Sequence, residues 1–325
     1  MFAAFISLPE AEATVNCSGG FILDFADVDQ ATGIGFDDPT IVTSSTLGQI
    51  RQNTACAVFD YLASVIDLGG TTPDVLVDLS QTDGTGPLAT GSAYYPNSAA
   101  SGFIGGTLHD HITTGVDPTP AANDFDGRIV VDFGNRTIGS SAVSIHSDYT
   151  TGSGGQLDLF SILLHESMHA LGFSSFIDAN GLSAVGTAYS LFDEYLQDGG
   201  GTPLINPTGY YFQPSTTADL TGNALRYFGP GNSLPQAVYS PFAFQGGSSL
   251  SHFDDIRDNF LYLMRPGTSG GDDRMLSMAE VDVLCDLNYS LYGSACSNRY
   301  PVGVDDDNLT VNVTTPGVQA CINVL

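Results

Sequence analysis

Lysine is absent from this chain of 325 residues: its eight basic residues are all arginine, set against 31 aspartates and five glutamates. The net charge of −28 disfavours nucleic acid and anionic membranes as partners, since both repel an acidic surface. Cysteine is scarce. None of Cys17, Cys56, Cys285, Cys296 and Cys321 forms a C-x-x-C pair, which argues against a thiolate zinc knuckle or a thioredoxin-like site. No apolar run approaches the roughly 20 residues needed to span a bilayer. The start, MFAAFISLPEAEA, has a short apolar run and small residues near a possible cleavage point. It lacks the basic first residues and the length of a signal peptide, and is either the remnant of one or a first strand. No repeat of fixed period is present.

What is there suffices for one large domain or two modest ones, with 42% hydrophobic residues to build a core. Aspartate together with 38 glycines suggests many turns. Such turns would also suit Ca2+, because carboxylates are hard ligands; a solvated acidic surface is the simpler account. Two local disulfides and one leftover thiol is the simplest oxidised arrangement, Cys285 with Cys296 across a short loop and Cys17 with Cys56. Five reduced, buried thiols would be the other.

Strands are expected over Phe21–Phe25, Asp74–Leu79 and Arg128–Phe133, where apolar residues run or alternate. Helical spacing covers Thr46–Ile66, Leu157–Leu171, Ala188–Gln197 and Ser277–Asn288. Ser277 and Glu280 stand in capping-box spacing, and Asp158 sits where a carboxylate suits a helix start. Residues 198–251 are loop-rich. Residues 299–325 change character after Cys296, as a linker opening an appended β-domain or as an arm packed on the main domain.

The decisive string is L-L-H-E-S-M-H-A-L-G-F, from Leu163 to Phe173. His165 and His169 are four apart, so on a helix they share a face and can bind one zinc. Glu166 lies beside that metal without having to ligate it, placed to take a proton from a zinc-bound water. Shuffled text of this composition would contain about 0.002 such matches. Leu163, Leu164, Met168 and Leu171 make the helix core-packed, which disfavours two incidental surface histidines. Gly172 ends it abruptly, as a helix must if the chain is to turn and bring in a further ligand.

Two imidazoles leave a catalytic site one protein ligand short. By residue type the candidates are His109, His111, His146, His252, Glu194 and many aspartates. His109 and His111, in LHDHIT, alternate as a metal-binding pair on one strand face would, though exposed loop histidines are the plainer account. His146 has no serine-nucleophile motif with it. His252, in SHFDD, is the only histidine downstream of the helix, and L-M-R-P follows at Leu263–Pro266.

HESMHALGF with a distant SHFDD and then LMRP resembles the leishmanolysin family of metzincin peptidases. Metzincins share H-E-x-x-H-x-x-G-x-x-H; this chain keeps Gly172 but has Ser175 at the last position. Leishmanolysin-like peptidases depart in the same way, with a long insertion before the third histidine; here 82 residues separate His169 from His252. The resemblance covers roughly residues 46–296, with only the two short motifs specific. It implies an α+β, metzincin-like fold: a twisted mixed sheet and active-site helix in an N-terminal subdomain, then a loop-rich C-terminal subdomain with a late helix. Residues 46–298 would be the catalytic domain, its cleft between about 46–180 and 181–298, after an N-terminal segment 1–45. It further implies one catalytic Zn2+ on His165, His169 and His252, Glu166 as general base, Met264 in a turn below the metal, protein or peptide substrates, and secretion. Two other readings remain open: an inactive peptidase fold serving as an adhesion or carbohydrate-binding module, and a thermolysin-like site with Glu194 as third ligand.

Overall fold

The computed structural model describes residues 13–292, apart from 29–31, 80–83, 85, 97–99, 120–123, 139–140, 215–216, 233 and 273. Cys296, the expected leader remnant before residue 13 and the segment 299–325 lie outside the described residues. In chain order the elements used below are β1 (Ala13–Asn16), β2 (Ile22–Phe25), α1 (Leu47–Val65), β3 (Asp74–Leu79), β4 (Ala89–Ala93), β5 (Gly102–Ile104), α2 (Thr107–Thr114), β6 (Gly127–Val131), α3 (Leu159–Ala170), β7 (Ala188–Ser190), β8 (Leu196–Gln197), β9 (Arg226–Tyr227), β10 (Gln236–Ala237) and α4 (Met278–Asp286).

The architecture is mixed α/β with few helices. One five-stranded mixed sheet runs β1-β2-β3-β6-β4. β2, β3 and β6 are parallel, with Leu23 opposite Val75 and Val77 opposite Ile129. β1 pairs antiparallel with β2 at one side, and β4 pairs antiparallel with β6 at the other. The parallel strands bury one face: Leu23, Phe25, Val75, Val77, Ile129 and Val131 stand at alternate positions and are all buried, while Asp74, Asp78 and Arg128 fall on the other face. α1 starts at Thr46, whose side chain accepts the Gln49 N–H. It lays Val58, Phe59 and Leu62 into the core against Phe21. Cys17 is bonded to Cys56, tying the β1–β2 turn to α1. A disulfide across 39 residues stabilises by about 3–4 kcal/mol in the chain-entropy view. Cys285 is also disulfide-bonded, with its partner outside the described residues.

α3 follows Asp158, whose carboxylate accepts the Ser161 N–H at 2.8 Å. Leu159, Leu163, Leu164 and Met168 are wholly buried, each contributing about 1.5–3 kcal/mol. The capping box of α4 is present in both directions between Ser277 and Glu280.

Two local expectations are corrected. Ala188–Gln197 is not a helix. Ala188–Ser190 instead pairs in parallel with β5. Ser190 and Asp193 then hydrogen-bond each other's backbone N–H through their side chains, both at 3.0 Å. The result is a single 3-10 turn over Phe192–Tyr195, after which β8 pairs with β9. Tyr189, Phe192 and Leu196 are buried as a helical face would be, so the spacing was matched by a different local path. Conversely, LHDHIT is neither strand nor loop but lies in α2, which puts Leu108 and Ile112 into the core and ends at Gly115 in the left-handed region (φ 73°). Its histidines are therefore turned to different surroundings.

Candidate metal centre and active site

α3 presents His165 and His169 one turn apart, and the segment Ser248–Phe253 brings His252 to meet them. The three rings form a near-equilateral triangle, with centroids 4.8, 5.1 and 4.9 Å apart. His252 Nε2 lies 3.2 Å from the Nε2 of both His165 and His169.

The tautomers follow from the opposite edge of each ring. His165 Nδ1 donates to Leu263 O at 2.8 Å, His169 Nδ1 to Phe173 O at 2.7 Å, and His252 Nδ1 to Ser248 O at 2.7 Å. A carbonyl only accepts, so each Nδ1 carries the hydrogen and each neutral ring turns a bare Nε2 lone pair inward. Burial holds all three below the usual imidazole range, with repulsion from neighbouring histidines adding to it at His165 and His252: His169 to about 4, His252 to about 3, and His165 well down. Three converging lone pairs cannot hydrogen-bond to one another, but they suit a cation. A tetrahedral zinc with Zn–N near 2.0–2.1 Å would hold its nitrogens about 3.3–3.4 Å apart. The residues fit such an ion, and each outer hydrogen bond orients a ligand as metal-binding histidines require.

Two of those carbonyls are placed by residues in left-handed backbone. Gly172 (φ 104°) ends α3, so that Phe173 N–H bonds back to Met168 O and Phe173 O swings under His169. Leu250 (φ 70°) does the same between Ser248 and His252; there the conformation carries strain, on the order of 1 kcal/mol for a non-glycine residue.

Glu166 is buried and lines a cleft of about 850 Å³ together with all three histidines. Burial pushes its carboxyl up to about 8, an effect partly opposed by the Gly91 N–H. Gly91 lies in β4 at the sheet edge. A Cβ there would stand 1.9 Å from Glu166 O, so only glycine lets β4 run this close to α3.

Met264 is fully buried. Its N–H donates to Glu280 Oε1 at 2.6 Å, while Glu280 Oε2 takes the Ser277 N–H at 2.7 Å. Its carbonyl accepts from Phe253 N–H, next to His252. Arg274, also buried, donates to Leu263 O at 2.7 Å, the same carbonyl that orients His165. The roles of Gly91, Arg274 and Glu280 at this site were not evident from sequence; only Glu280 had a signal, and that signal spoke of capping.

The remaining candidates lie elsewhere. Glu194 is exposed on its 3-10 turn and does not join the histidine group. His109 is buried between Asp110 and Leu287 O. His146 bonds to its own turn at Asp148 O and Thr151 Oγ1. Asp254 caps a single turn by accepting the Arg257 N–H, and Asp255 pairs with Arg265; His252 Nδ1 bonds instead to Ser248 O. His111 lies against Asp126. Among the described residues no helix is long and apolar enough to cross a membrane. Comparisons of the chain with protein-family models, curated proteins and solved structures return no match.

Proposed function

We propose that the chain is a secreted zinc-dependent endopeptidase of the leishmanolysin-like metzincin kind. The observation that carries this reading is the convergence of three neutral imidazoles, bare Nε2 inward, beside a buried carboxylate in an open cleft. His165, His169 and His252 would hold the ion. When bound, zinc supplies Lewis acidity, lowering the pKa of a water toward neutrality and polarising the scissile carbonyl.

Glu166 takes the proton as the water oxygen adds to the carbonyl carbon, and returns it to the amine nitrogen as the C–N bond breaks. Its raised affinity for protons suits that transfer, and a nearby dication favours the carboxylate form needed at the outset. The edge strand β4 offers backbone groups along the cleft floor for an extended peptide. The Cys17–Cys56 disulfide fits an oxidising compartment.

The test is Glu166→Gln assayed on casein beside the wild type, with metal content measured on both. Activity is expected to fall by at least about 10²-fold while metal content is unchanged. Wild-type turnover by the variant would end the mechanism. Bound metal with no cleavage by the wild type would favour a binding module that keeps the fold.

A further inference from the structure

A second group of ligand-type side chains stands apart from the three histidines. His111 of α2, Asp117 in the loop after it and Asp126 just before β6 each bring a ligand atom to within 4.8 Å of the others. Asp126 is fully buried. Its Oδ2 meets His111 Nδ1 at 2.7 Å and accepts the Asp74 N–H at 3.0 Å, but its Oδ1 has no hydrogen-bond partner. A carboxylate oxygen buried without a donor is costly, and folded proteins normally satisfy it with a donor, a water or an ion.

A third carboxylate borders the group: Asp74 Oδ1 accepts the Asp126 N–H at 3.1 Å. Among the described residues no arginine pairs with Asp74, Asp117 or Asp126. One imidazole thus faces three acids, one of them buried with an unused oxygen. A single divalent cation would supply both the missing charge and the missing partner. An imidazole in the donor set suits zinc-class ions better than calcium, which prefers oxygen alone.

We propose that His111, Asp117 and Asp126 form a second metal site that takes one divalent cation of the zinc class and ties the end of α2 to the start of β6. None of the three lines the cleft that holds Glu166, so this ion acts on the fold and not on the reaction. The proposal does not depend on peptidase activity.

The full-length protein, stripped with chelator and dialysed against Zn2+, is to be analysed for metal per chain, with Ca2+ in a parallel arm. Two zinc ions are expected in the wild type, one in His111→Ala and Asp126→Asn, and one in the double variant His165→Ala/His169→Ala. In that double variant zinc should still raise the thermal unfolding midpoint. Should Asp126→Asn fail to fold, Asp117→Asn decides, with loss of one ion expected. One zinc in the wild type and none in the double variant would overturn the second site and leave the three-histidine centre intact. Zinc kept by the double variant but lost on adding His111→Ala supports the second site whatever the fate of the first. Calcium taken up at these residues in place of zinc would overturn the assigned class of ion.

Discussion

The two sides of the three-histidine centre are built by different physics. On the α3 side, ten of twelve residues are buried, and two ligands are positioned by helical period and apolar packing. On the side of His252 and Met264 there is little regular structure. There, buried polar side chains take over the role of a ladder by bonding directly to backbone: Glu280 to Met264 N–H, Arg274 to Leu263 O, Asp286 to Gly231 N–H. A ligand on a helix needs only a face to bury. A ligand on a loop needs each nearby backbone group fixed, because a buried group without a partner is penalised.

The largest effect is expected where the apolar side is tightest. Gly91→Ala sets a Cβ against the Glu166 carbonyl, and the obstacle is helix backbone, which cannot turn aside as a side chain could. Denaturant unfolding should show a loss of about 3 kcal/mol or more, with activity lost as α3 shifts. A stable, active variant would mean that β4 and α3 are not held this closely.

On the loop side Glu280→Ala leaves the Met264 and Ser277 N–H groups without their acceptor. At about 1–3 kcal/mol for the buried Met264 donor and about 1 kcal/mol for the half-buried Ser277 donor, a loss of about 2–4 kcal/mol is expected. Metal affinity should weaken too, because Met264 is the neighbour of Leu263, whose carbonyl orients His165. If stability falls while metal affinity stays, the loop is not what positions the ligand.

Removing the metal should expose opposite pH slopes. The three imidazoles titrate lower in the fold than in the unfolded chain, where they stand near 6.5. Below that pH the unfolded chain binds more protons, so their contribution is present above about 6.5 and is lost as pH falls towards 4. Glu166 moves the other way, from 4.5 to about 8. Its contribution is full below 4.5 and is lost as pH rises to 8. Three groups outweigh one on the acid side, so chelator-treated protein should be most stable near pH 6.5, with slopes of at most about 1.4 kcal/mol per pH unit per group. Urea midpoints at pH 5, 6.5 and 8.5 test this, and Glu166→Gln should flatten the alkaline limb and steepen the acid limb between about 4.5 and 6.5, where Glu166 opposes the histidines. A flat profile in the chelator-treated wild type would remove the case for buried, neutral imidazoles.

The same division explains how much was legible. HESMHALG announced its helix because ligands, apolar face and the Gly172 stop all fall within one short stretch. β2, β3, α1 and α4 were legible for the same reason: local pattern and burial agree. Ala188–Gln197 misled because Tyr189, Phe192 and Leu196 have helical spacing while the Ser190–Asp193 exchange of hydrogen bonds favours one turn and a strand on either side. The LHDHIT histidines misled in reverse, through alternation inside a helix. Arg274 and Gly91 could not be found at all, since their partners are 11 and 75 residues away in sequence and nothing local marks them.

The smallest effect is expected at Glu194, and there the comparison is sharpest because its neighbour behaves oppositely. Asp193 is buried and accepts the Phe176 and Ser190 N–H groups, both at 3.0 Å. Asp193→Ala should therefore cost about 2–6 kcal/mol, at about 1–3 kcal/mol for each of two buried stranded donors. Glu194, one residue on, is exposed and makes no hydrogen bond or ion pair with its side chain among the described residues. Glu194→Ala should change stability by no more than about 0.5 kcal/mol and leave metal content untouched. His252→Ala, measured alongside, should lose the ion of the three-histidine centre after dialysis, because two imidazoles cannot replace three. If metal instead follows Glu194 and ignores His252, the outward-facing geometry of the turn is wrong. The third ligand would then come from the segment just after α3, and a thermolysin-like site would displace the metzincin-like one.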